Sequence, residues 1–211
     1  MKTSYGFVAG LMLATAGLQP ARAAHLINGS FESGLSPGSI AHVAAGAGDV
    51  SGWVIGGNSV DYVGSFWTAA DGQRSIDLSG SGAGNIAQTF ATSVGLKYIV
   101  TFLLSGNPDA GPLVKTLSAS ATGNATKLYK FDASHSTHAN MGWIEQSYLF
   151  TAKAGSTTLR FASLNEGSAG PALDNITVRA VPEVGSWLMM VGGFGMLGLG
   201  LRKNKACSLS A

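Results

Sequence analysis

From about residue 59 to residue 181 the chain is built of short runs in which β-branched and aromatic residues recur, separated by turn-forming clusters. The clearest run is 98–104, and 144–151 and 157–164 are similar. In 173–181, Leu173, Asn175, Thr177, Arg179 and Val181 alternate with Asp174, Ile176, Val178 and Ala180. Shorter runs lie at 59–63, 75–78, 86–90, 116–121 and 127–131. Between them stand the breakers Gly56-Gly57-Asn58, Asp71-Gly72, Gly80-Ser81-Gly82, Asn107-Pro108-Asp109 and Gly123-Asn124. No stretch between the two ends keeps a 3.6-residue apolar period. About nine to ten short strands in one domain predict an all-β fold, a two-sheet antiparallel sandwich of the jelly-roll kind.

The two ends follow a different pattern. Lys2, an apolar run over 7–18 and the triplet Ala21-Arg22-Ala23 form the three parts of a secretory signal peptide spanning 1–23, with cleavage set by Ala21 and Ala23. At the other end, 184–201 contains no charged residue and is just long enough for a membrane-spanning helix. Trp187 sits near its outer end, and Arg202, Lys203 and Lys205 follow it as a basic stop. Six glycines within 184–201 argue against a strand. The expected organisation is therefore a signal peptide, a β-domain over 24–181, a tail over 182–205 with one transmembrane helix, and a short cytoplasmic end over 206–211.

The net charge of the whole chain, +2, conceals the balance of the domain. Five of the 13 basic residues and Glu183 among the 11 acidic ones fall outside 24–181, which keeps 8 basic and 10 acidic residues. With no basic patch there is no electrostatic case for nucleic acid. The single cysteine, Cys207, lies beyond the membrane segment, so the exported domain holds no disulfide. Its stability has to come from packing or from a bound metal.

Two resemblances add to this reading. Val181-Pro182-Glu183, the glycine-rich apolar segment and the Arg-Lys stop resemble the PEP-CTERM sorting signal, with Val184 where a second proline is usual. That implies processing by an exosortase in a Gram-negative bacterium that makes exopolysaccharide. It also implies a domain held in the periplasm at the inner membrane and then released to the cell surface or matrix. The domain itself is similar to galactose-binding-like jelly rolls in its opening Asn28-Gly29-Ser30-Phe31-Glu32 and its closing Pro171-Ala172-Leu173-Asp174-Asn175-Ile176. With Ser59-Val60-Asp61-Tyr62-Val63, Ala70-Asp71-Gly72, Ser75-Ile76-Asp77-Leu78 and Leu104-Ser105-Gly106-Asn107-Pro108-Asp109 it resembles the choice-of-anchor C family, a relative of domains on plant cell-wall proteins. This implies a non-catalytic domain whose relatives often bind carbohydrate. It also implies a structural calcium site, with Glu32 from the first strand and Asp174 from the last supplying carboxylates to a cation that takes six to eight oxygen ligands.

Among residues with chemistry, Trp67 follows Phe66 in a glycine-flanked segment. It is a candidate stacking platform for a sugar ring, with Asp71, Gln73 and Arg74 as neighbours for the hydroxyls; packing within the fold is the commoner fate of such a tryptophan. His135 and His138 lack the further ligands of a zinc site and read as a solvated loop. Gly34-Leu35-Ser36-Pro37-Gly38 fits G-x-S-x-G but has no helix after it, as a nucleophile elbow requires. The scattered acids Asp49, Asp61, Asp77 and Asp109 do not mark out a glycosidase pair. The sequons at Asn28, Asn124 and Asn175 are expected to be unmodified in such a bacterium. The sequence thus points to a non-enzymatic envelope protein that binds exopolysaccharide. The competing expectations are a structural matrix or adhesion protein without a sugar site and a secreted polysaccharide hydrolase.

Overall fold

A computed structural model describes residues 25–181. The expected signal peptide, Pro182, Glu183 and the apolar segment 184–201 lie outside the described residues. Among the described residues no helix is long and apolar enough to cross a membrane.

Among the described residues eleven strands fold into two antiparallel sheets. They are β1 (Ile40–Ala44), β2 (Val54–Gly57), β3 (Ser59–Val63), β4 (Ser75–Asp77), β5 (Gly84–Ala91), β6 (Lys97–Gly106), β7 (Val114–Ala121), β8 (Lys127–Asp132), β9 (Ile144–Thr151), β10 (Ser156–Ser163) and β11 (Pro171–Ala180). One sheet has the order β1-β3-β4-β11-β6-β9, the other β2-β5-β10-β7-β8. The described residues therefore form an all-β jelly-roll sandwich.

Strand alternation supplies the core. In β6 the inward residues are Tyr98, Val100, Phe102 and Leu104, and in β10 they include Leu159 and Phe161. Phe102 of the first sheet meets Tyr129 and Phe161 of the second edge-on, at 5.2 and 5.0 Å between ring centres. Aromatic rings favour this geometry because a positive edge faces a negative face.

Two strands have weak sequence signals. β1 buries only Val43, and β2 ends in the glycine pair that reads as a turn; both are edge strands. The segment around Glu32, expected as the first strand, is irregular instead, with Asn28 and Phe31 at φ 52° and 58°. β11 carries a register shift against β6 between Asp174 and Thr177, with Asn175 at φ 47°. The shift lets Leu173 and Ile176, three positions apart, both enter the core, which strict alternation forbids.

The first sheet is covered outside as well as inside. Val63, Trp67, Met141 and Ala172 form a second small apolar cluster, with Phe66 and Trp143 packed against it. The segments 64–74 and 133–143 thus lie over the outer face of β3 and β11. They are joined by the Thr68 N–H to the His138 carbonyl (2.9 Å) and by the Trp143 indole N–H to the Thr68 carbonyl (3.0 Å).

Candidate functional site

The loop between β3 and β4 is fixed by two carboxylates from opposite ends of the domain. Asp174 Oδ2 accepts the backbone N–H groups of Ala70 (2.8 Å) and Asp71 (2.9 Å), and its Oδ1 accepts that of Asn175 (2.7 Å). Glu32 Oε1 accepts the N–H groups of Gln73 and Arg74, both at 2.8 Å. The Ser30 hydroxyl bonds to the Asp71 carboxylate. Gly72 makes the approach possible. It has φ +62°, and a Cβ there would lie 2.4 Å from Glu32 Oε1. On the far side the loop rests against the segment before β1, through Gly64 N–H to Ser39 O (2.9 Å) and Ser65 N–H to Gly38 O (3.1 Å).

Between these walls lies a cleft of about 400 Å³, lined by residues 36–38, 64, 65, 67–69 and 72–74. The side chains on it are neutral and polar (Ser36, Ser65, Thr68, Gln73), apolar (Pro37, Trp67, Ala69) or cationic (Arg74). Arg74 Nη1 donates to Tyr62 Oη (2.9 Å) and to the Leu35 carbonyl (3.3 Å), and its guanidinium lies 5.6 Å from the Tyr62 ring centre. Tyr62 in turn donates to the Phe31 carbonyl. Such a cleft suits a ligand with an apolar face and several hydroxyl groups.

Trp67 and Arg74 are therefore brought to one cleft, while Asp71 is not on its lining and faces Ser30. Trp67 departs from its expected role. A stacking platform needs an open ring face, yet Trp67 is 4 % exposed, because Val63, Met141 and Ala172 surround it and Phe66 packs 5.7 Å away. Its indole N–H donates to Ser75 Oγ (2.8 Å). It closes a wall of the cleft. Ser36, Pro37 and Gly38 belong to the cleft although their sequence suggested only a chance motif; a Ser-Pro-Gly loop carries no signal for which loop it will face.

The fit of a calcium ion to Glu32 and Asp174 can be judged from what faces them. Three of their four carboxylate oxygens accept backbone N–H groups, and two of those three accept a pair. These donors fill the directions a cation would need, and calcium requires oxygen ligands around it. Among the described residues no group of three His, Cys, Asp or Glu side chains is placed to hold a metal. As arranged, the pair does not fit the ion: Glu32 and Asp174 are tied to the loop at 70–74 by hydrogen bonds. Burial pushes the Asp174 carboxyl up to about 7, against the opposing pull of its three backbone N–H partners.

The other chemically suggestive residues have structural partners. His138 Nε2 and Asp109 Oδ1 pair at 2.7 Å. The segment 34–38 is a loop with no helix after it, and Ser36 is exposed. Asp61 and Asp77 face each other in register, but Asp77 is fully buried and accepts from Ser79, Gly170 and Asn107. Burial pushes its carboxyl up to about 7, where no solvent-borne substrate reaches it. The Asn28 amide bonds Ser33 and Ser51, and that of Asn124 bonds Thr122 and Thr151. A second groove of about 330 Å³ crosses the outer face of β9, β6 and β11, with Glu145 and Arg179 both on it.

The family model described as Protein of unknown function (DUF642) matches residues 24–179. Halomucin of Haloquadratum walsbyi is 29 % identical over 164 residues; these make up 72 % of this chain and 2 % of that protein, so the chain spans a small fraction of this relative's length. The solved structures similar to the sandwich include TmCBM61 in complex with β-1,4-galactotriose (18 % identity, 75 % of this chain and 99 % of that one, TM-score 0.45). They also include a family 35 carbohydrate-binding module from Clostridium thermocellum (18 % identity, 65 % and 97 %, TM-score 0.44).

Proposed function

The chain belongs to the DUF642 family, and from that premise we propose that it is a non-catalytic carbohydrate-binding protein of the cell envelope, with its saccharide seat in the cleft between β3 and β4. The observation that carries the reading is the cleft itself: a rigidly held recess with an apolar wall at Trp67 and Pro37 and hydrogen-bonding side chains at Ser36, Ser65, Thr68, Gln73 and Arg74. A pyranose has the same division, with apolar C–H faces and a rim of hydroxyls. The likeness of Asn28–Glu32 and Pro171–Ile176 to galactose-binding-like jelly rolls supports it further.

The remaining parts of the proposal rest on the sequence at the two ends. A signal peptide cut after Ala23 exports the domain, and the apolar segment 184–201 with its basic stop holds it at the inner membrane. Val181-Pro182-Glu183 then offers an exosortase its sorting signal, and the domain reaches exopolysaccharide at the surface or in a biofilm matrix.

The test is retention on polysaccharide affinity gels. Ser36 is exposed at the lip of the cleft, so Ser36→Trp fills the cleft without disturbing the core, and retention is expected to disappear with the melting curve unchanged. Gln73→Ala is expected to weaken retention several-fold, as loss of one hydrogen bond of about 1 kcal/mol does. A wild-type protein that no polysaccharide retains would favour a structural matrix role.

A further inference from the structure

We propose that the cleft selects anionic saccharides, sugars that carry a carboxylate such as uronic acids, and that Arg74 is the residue that reads the charge. The inference rests on the cleft being a saccharide seat, as proposed above.

Among the described residues Arg74 is the only charged one lining the cleft. Among the described residues it makes no ion pair; the two pairs present both join a histidine to an aspartate elsewhere. The two acids at the loop near Arg74, Glu32 and Asp71, accept hydrogen bonds from groups other than its guanidinium. Glu32 holds the Gln73 and Arg74 N–H groups, Asp71 holds Ser30, and neither lines the cleft. The second groove provides a contrast, because there Arg179 shares the lining with Glu145.

The guanidinium is also oriented. Both of its hydrogen bonds to the protein leave from Nη1, to Tyr62 Oη and the Leu35 carbonyl, and the Tyr62 ring lies against it. Nε and Nη2 make no hydrogen bond to the described residues. Those two nitrogens form the side-on fork that matches the two oxygens of a carboxylate, giving a pair of parallel charge-assisted bonds. Tyr62 is fully buried and tied to Phe31, so the fork is held in place before ligand arrives. A neutral hexose can accept from the same donors but lacks the ion–ion attraction that a carboxylate adds.

The experiment compares the full chain, in mild detergent, with an oligogalacturonate, the same oligosaccharide as its methyl ester, and a neutral galactan fragment, by titration calorimetry at low and high salt. The expected result is binding of the free acid about tenfold tighter than of the ester, a preference that shrinks with added salt. Arg74→Gln is expected to remove the preference, and Arg74→Lys to keep part of it, since an ammonium holds charge without the fork. The acid-to-ester ratio of the wild type is independent of whether either variant folds. Equal binding of acid, ester and galactan would overturn the selectivity and leave the saccharide seat standing. Absence of binding by all three would overturn both.

Discussion

Asp174 and Glu32 fix the loop at 70–74 by accepting its backbone N–H groups. They reach it from the two ends of the domain, one ahead of β1 and the other within β11. What sequence cannot show is that the loop turns its N–H groups toward them. Gly72 is the residue that permits this. Gly72→Ala places a Cβ on Glu32 Oε1 and demands φ +62° of an alanine, so a loss of about 1–2 kcal/mol is expected in denaturant unfolding, with cleft binding lost alongside. The buried acids give a pH signature. Asp77 and Asp174 are both raised to about 7, foremost by burial, so the folded state binds protons that the unfolded state has released. Their contribution is complete below the ordinary carboxylate range near 4 and is lost as pH rises toward about 7. Asp61, raised by burial, acts in the same direction. Lys115 donates to the Ala110 and Ala169 carbonyls and is lowered by burial, while the charges of Asp77 and Asp109 counter that. The expected outcome is a melting temperature higher at pH 5 than at pH 8. In Asp77→Asn, which keeps an oxygen for Ser79 and Gly170, that slope should flatten.

At the scale of elements, the legible strands are those with sustained runs of β-branched and aromatic residues, and they include the edge strands β8 and β9 as well as inner ones. In β6 and β10 the alternation is strict because each lies between two strands and over a filled core. β1 and β2 were not legible: each buries a single residue, Val43 or Ile55, so no alternating apolar pattern marks them in the sequence. β11 was legible as a strand, but its faces were not, because a bulge changes the parity at Asn175. The consequence can be tested there. Asparagine tolerates φ 47° and a β-branched residue does not. Asn175→Val is expected to cost about 1–2 kcal/mol in urea unfolding, and Asn175→Gly to stay within about 0.5 kcal/mol of wild type. Equal stabilities would mean that the bulge is not a constraint on the strand.

For the whole molecule, two sheets and one aromatic core supply a domain that needs no disulfide, and the layer of loops over β3 and β11 supplies the site. The cleft was only partly legible, since Arg74 and Trp67 stand in one segment but Ser36, Pro37 and Gly38 come from another, and only folding sets them opposite. With Glu32 and Asp174 tied to the loop at 70–74 by hydrogen bonds, calcium or excess chelator is expected to leave the melting curve unmoved, because a ligand that binds only the folded state must raise its stability. A shift of several degrees would restore the metal to Glu32 and Asp174. The central claim, a saccharide seat between β3 and β4, is tested most directly by titrating isotope-labelled protein with acidic and neutral oligosaccharides and mapping the amide shifts. Perturbations concentrated at residues 36–38, 64–68 and 72–74 are the predicted result. Perturbations centred on the groove of Glu145 and Arg179, or none with any sugar, would contradict it.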